Sequence, residues 1–127
     1  MSKSKKPKVG SINWFDLTVR NADKVRAFYE SVVGWNADTF DMGGYNDFCM
    51  KSPGGRKTVA GICHARGDNV GLPPQWLLYI TVANLNASVK ACRKNGGKIL
   101  RAPRAVGGGR MAVIRDPAGA IAALYQP

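Results

Sequence analysis

The sequence predicts an α+β domain made of one strand–helix–three-strand unit written twice. Three observations carry this. Val25 recurs as Val89, the helix-ending Gly34 as Gly97, and the turn Pro53-Gly54-Gly55 as Pro117-Ala118-Gly119, at an offset of 63 or 64 residues each time. Each copy opens on a stretch of period two and passes to one of period 3.6. It then ends in short runs separated by glycine-rich turns. A repeat of this length is not a short solenoid period, so the two copies are expected to close on each other as half-domains.

In the first copy, Ser11 to Arg20 alternate, with Phe15, Leu17 and Val19 on one side and Trp14, Asp16 and Thr18 on the other, as a half-buried strand requires. Asn21 offers an N-cap, and Asp23 in the first turn suits the helix dipole. Val25, Phe28, Tyr29 and Val32 form one apolar helical stripe, which Gly34 ends as a C′ glycine. A helix following its strand this closely packs on the sheet. Phe15, Leu17 and Val19 are therefore expected to face it, leaving Trp14, Asp16 and Thr18 on the opposite face. Short strands are expected at Trp35 to Asp41, Tyr45 to Lys51 and Lys57 to Ala65, and Arg66 to Gln75 reads as a polar linker.

The second copy repeats the logic. Leu78, Ile80 and Val82 point toward a helix; Leu77, Tyr79 and Thr81 point away. Asn84 caps a helix carrying Leu85, Val89 and Cys92, and Gly96-Gly97 stops it. Strands follow near Lys98 to Val106, Arg110 to Arg115 and Ala120 to Gln126, with Gly107-Gly108-Gly109 as a hairpin tip rather than a phosphate cradle, because no strand-to-helix turn precedes a helix there.

At 127 residues the chain is expected to be one domain over residues 9–127, with modules at 9–66 and 74–127 behind a disordered basic tail of residues 1–8. Hydrophobic residues make up 45% and charged residues 21%, an ordinary globular balance. No run is long enough to span a membrane. Three cysteines, Cys49, Cys63 and Cys92, cannot all pair, which reads as reduced, mostly buried thiols in a cytoplasmic protein. The net charge of +11 favours anionic partners over cationic ones. Lys3, Lys5, Lys6 and Lys8 supply part of it, but the tail has no Arg or aromatic residue for base contacts, which argues against nucleic acid as the partner.

Trp14-Phe15-Asp16-Leu17-Thr18-Val19, then Ala27-Phe28-Tyr29 ahead of Gly34-Trp35, and later Asp116-Pro117-Ala118-Gly119, together resemble the vicinal oxygen chelate superfamily. That group includes glyoxalase I, extradiol dioxygenases, and fosfomycin- and bleomycin-resistance proteins. The resemblance covers about Gly10 to Pro127. It implies two tandem βαβββ modules forming curved mixed sheets around a cleft, and often a homodimer. In metal-dependent members the ligands are usually His, Gln or Glu in the first and last strand of each module. The matching positions here are Trp14, Gly61, Leu77 and Ala123, none of which carries a donor side chain. The only histidine, His64, is expected on the helix side or at a strand end.

These readings converge on a metal-free, cofactor-free protein that binds or sequesters a small neutral or anionic aromatic molecule. Its expected ligand-binding residues are Trp14, Asp16, Thr18, Cys63, Tyr79, Thr81 and Tyr125. No catalytic residue is assigned. Two other readings stand beside it. One is a metal-dependent lyase (such as lactoylglutathione lyase), isomerase or dioxygenase of the same superfamily. The other is a nucleic-acid-associated protein acting through the basic tail.

Overall fold

The structure, a computed structural model, describes residues 7–127; most of the expected disordered tail lies outside the described residues. In chain order it contains β1 (Ile12–Val19), α1 (Ala22–Val33), β2 (Asn36–Asp41), β3 (Asn46–Lys51), β4 (Thr58–His64), β5 (Trp76–Thr81), α2 (Leu85–Lys94), β6 (Lys98–Val106), β7 (Gly109–Arg115) and β8 (Ile121–Gln126). A 3₁₀ turn, Gly67–Asn69, lies in the linker. The βαβββ unit is thus present twice. Among the described residues no helix is long and apolar enough to cross a membrane. The chain divides into two compact units, one of Phe15–Trp76 and one of Leu77–Pro127 together with the residues through Trp14.

In the unit of Phe15–Trp76 the strands run in the order β2-β3-β4-β1. β1 and β4 are parallel, and the other pairs are antiparallel. Leu17 stands beside Ile62, and Ile62 beside Phe48, so these three share the face on which α1 lies. With Ala22 and Met50 they form the core, packed by Val19, Val25, Tyr29, Trp35, Ala37 and Trp76. Tyr29 stacks on Trp35 at 5.5 Å and meets Trp76 edge-on at 5.4 Å, while the Trp76 indole N–H donates to the Tyr29 hydroxyl at 3.1 Å. Trp35 and Trp76 are therefore packing anchors of this core.

The α1 stripe is only half realised. Val25 and Tyr29 pack on the core, but Phe28 and Val32 are 56% and 63% exposed, and Phe15 is 41% exposed. The helix sits on the strands through the Val25–Tyr29 edge, which turns the rest of the stripe outward. Asn21 also departs from expectation: its side chain makes no cap hydrogen bond, and only its carbonyl is used, accepting from the Val25 N–H at 3.0 Å. Gly34 ends the helix as expected, at φ 82°, with its N–H on the Glu30 carbonyl.

In the other unit the order is β5-β8-β7-β6, with β5 and β8 parallel. Gly10 donates to the Thr81 carbonyl and Thr81 donates to the Ser11 carbonyl, tying the start of the chain to β5. Leu85 and Val89 of α2 pack on Ala112 and Leu124, with Ile80, Val82, Ile99 and Ile114 around them. Here the cap is made: Asn84 Oδ1 accepts from the Ala87 N–H at 3.0 Å. Gly107-Gly108 closes the β6–β7 hairpin between the paired Val106 and Gly109, the two-residue loop that glycine favours.

Candidate functional site

Strand register assigns the sheet face away from each helix, because neighbours in register project to the same side. In the unit of Phe15–Trp76, one row across that face is Asp16, Gly61, Cys49 and Asp38; Thr18 and Cys63 form the next. This face is acidic and thiol-bearing. Burial, with Asp16, raises the Cys63 thiol pKa well above its ordinary value, and Asp47 adds to this by charge and by a hydrogen bond to the thiol. Cys49 is raised by burial and by Asp16 and Asp38, partly offset by Lys51. These are protonated, unreactive thiols at neutral pH. All three cysteines are free and half-buried, less enclosed than expected.

In the other unit the equivalent rows have the opposite character. Tyr79, Ala123, Val113 and Arg101 form one; Thr81, Tyr125, Met111 and Arg104 form the other. Met111, Val113 and Ala123 are buried and make an apolar floor flanked by tyrosines and guanidinium groups. The Tyr79 hydroxyl lies 3.9 Å from the Met111 sulfur. Tyr125 packs over Gly109, where an added Cβ would meet its hydroxyl oxygen at 2.7 Å. Thr81, 3% exposed, accepts a long hydrogen bond from the Asn13 amide at 3.4 Å.

Of the seven expected residues, Asp16, Thr18 and Cys63 share one face in the first unit, and Tyr79, Thr81 and Tyr125 share one in the second. Trp14 is half-buried on β1, with the same strand parity as Asp16. Arg101 and Arg104 were missed for a physical reason. Spaced by three, they fall on opposite faces of an ideal strand. Register shifts between Ile99 and Arg101, and between Arg101 and Arg104, bring both to the face of Val113 and Met111. The irregularity sits around Pro103 on an edge strand, where proline is tolerated.

His64 lies on the helix side, as parity predicts. It is largely buried rather than at the surface, with Nδ1 2.8 Å from the Asn46 carbonyl oxygen and Nε2 3.5 Å from the Asp23 carboxylate. Its backbone N–H donates to Asp47 at 2.7 Å. A groove of about 450 Å³ opens at the carboxyl ends of β1 and β4, and sequence reading did not find it. Thr18, Arg20, Asn21, Ala65, Leu72 and Pro74 line it. Its far wall comes from the linker, which carries no periodicity to betray it.

Residues 11–123 match the profile of the Glyoxalase/Bleomycin resistance protein/Dioxygenase superfamily. The chain is 32% identical to "Putative glyoxylase CFP32" of Mycobacterium tuberculosis over 99% of its own length and 49% of that protein's. It is 30% identical to the anthracycline biosynthesis protein DnrV of Streptomyces peucetius, over 92% of its length and 47% of that protein's. It therefore spans about half the length of these relatives. Among solved structures, a superfamily member from Vibrio splendidus aligns with a TM-score of 0.61 at 10% identity, over 92% of this chain and all of the other. A methylmalonyl-CoA epimerase bound to methylmalonyl-CoA aligns at 0.59 and 16% identity, over 94% and 95%. Chelation is a property of many members, but the donor set here does not fit it. Trp14, Gly61, Leu77 and Ala123 offer no side-chain lone pair to a divalent ion. Among the described residues no three His, Cys, Asp or Glu side chains come together as a metal site.

Proposed function

Because the chain belongs to the glyoxalase/bleomycin resistance protein/dioxygenase superfamily, we propose that it binds or sequesters a small anionic aromatic molecule without a chelated metal. The carrying observation is the face formed by Tyr79, Tyr125, Arg101 and Arg104 over Met111, Val113 and Ala123. The tyrosines offer ring faces to an aromatic ligand and the guanidinium groups pair with a carboxylate in a fixed fork, while the buried Met111, Val113 and Ala123 support them from below. The net charge of +11 works in the same direction, drawing in anions and repelling cations. The likeness to DnrV, named for anthracycline biosynthesis, is in keeping with an organic ligand. Three free thiols support a reducing, cytoplasmic setting for this role.

Titration with a panel of aromatic carboxylates and their amide and amine counterparts, read by tryptophan fluorescence, tests the proposal. The carboxylates are expected to bind best, and Arg101→Gln or Tyr79→Ala to weaken them about tenfold or more. Equal binding of the amines, or no change in either variant, would overturn it.

A further inference from the structure

The groove at the start of α1 has the makings of a second binding site, independent of the face just described. It lies where the carboxyl ends of two parallel strands meet a helix N-terminus, a position at which α/β proteins commonly hold ligands. The amides of the first helical turn have no acceptor within the helix. Asn21 does not cap them with its side chain. Thr18, 6% exposed, also lines the groove, and its hydroxyl has no hydrogen-bond partner among the described residues. Among the described residues Arg26 Nε is the one buried side-chain polar atom without a partner, so the Thr18 hydroxyl is not sealed in but open to the groove that it lines. Arg20 stands exposed on the same wall, with no ion pair among the described residues. Asp23, the nearest carboxylate on α1, lies against His64 at 3.5 Å.

The second copy of the same β–α turn is closed. Thr81 takes the place of Thr18 and is engaged by Asn13; Ala83 takes the place of Arg20. Asn84 takes the place of Asn21 and caps α2, and Gln126 Oε1 accepts from the Leu85 N–H at 2.7 Å. Protein atoms thus satisfy in one copy what the other leaves open beside a cation and a groove.

We propose that this groove binds a small organic carboxylate, its anionic head on Arg20, Asn21 and Thr18 at the N-terminal end of α1, its hydrocarbon body against Ala65, Leu72 and Pro74. The head takes the positive end of the helix dipole and a guanidinium fork. The apolar wall selects an acid with a carbon body over a bare inorganic anion, and about 450 Å³ is within the range of small-molecule pockets.

The test is calorimetric titration of the full chain with benzoate, butyrate, acetate and inorganic phosphate, alongside amide shifts of Ala22, Asp23 and Lys24. Benzoate and butyrate are expected to bind more tightly than acetate or phosphate and to shift those amides. Arg20→Gln is expected to weaken them about tenfold, and Thr18→Val several-fold with no loss of thermal stability. Tyr79→Ala should leave this binding intact, which separates it from the tyrosine–arginine face. No binding by any of the acids overturns the proposal, as does binding that Arg20→Gln and Thr18→Val both leave unchanged. Phosphate binding as tightly as benzoate overturns the organic-acid assignment.

Discussion

The two β–α turns descend from one repeated pattern, Thr18-Val19-Arg20-Asn21 and Thr81-Val82-Ala83-Asn84, and reach different ends. Asn84 sits in extended backbone at φ −140° and ψ 104°, from which its oxygen reaches the Ala87 N–H. Asn21, at φ −113° and ψ 55°, is rotated away from the capping geometry. The last strands differ as well. Gln126 supplies an acceptor to α2, whereas His64, at the equivalent place on β4, turns its ring to Asp23 and Asn46. The comparison teaches that a repeated residue type does not guarantee a repeated role. Its neighbours' hydrogen bonds decide which groups remain for a ligand.

The largest contrast between the two units lies in how their helices are anchored. Leu85 is fully buried, so Leu85→Ala is expected to lower unfolding free energy by about 2–5 kcal/mol in denaturant titration. Val32→Ala on the outward side of α1 should change it by less than about 0.5 kcal/mol. Comparable losses would mean that the two helices are seated alike. Next in size are the caps. Asn84→Ala should cost about 1 kcal/mol and Asn21→Ala only a few tenths, and equal costs would remove the asymmetry.

The threonines sharpen it further. Thr81→Val deletes a hydroxyl in use, if at long range, and is expected to destabilise by up to about 1 kcal/mol. Thr18→Val deletes one without a partner among the described residues and should be neutral or slightly stabilising. The smallest effect concerns the acidic, thiol-bearing face. Cys63 and Cys49 are raised above the ordinary thiol value of 9.0, so their protonated forms favour the folded state. That stability is fully present below pH 9.0 and is lost as pH rises beyond it, which denaturation across pH 7 to 11 reads directly (about this range brackets free thiol ionisation). Alkylation of Cys63 should correspondingly be slower than that of a free thiol and should speed up in Asp16→Asn. Fast alkylation in the unaltered chain would show that Asp16 and burial do not govern it.

Period and punctuation alone were enough for the doubled βαβββ order, the helix-ending Gly34, the cap at Asn84 and the helix-side placement of His64, while the resemblance to a family pointed to Trp14, Gly61, Leu77 and Ala123 as the side chains whose chemistry to read. These are local properties: side-chain alternation, a positive φ, an oxygen two or three residues from an amide, and the chemistry of a side chain. Tertiary structure alone decided that Arg101 and Arg104 share a face, that Phe28 and Val32 look outward, that Thr18 has no side-chain partner among the described residues, and that the linker walls a groove. Each depends on a strand irregularity, a helix seating angle or a contact between distant residues, and none of these leaves a periodic trace along the chain.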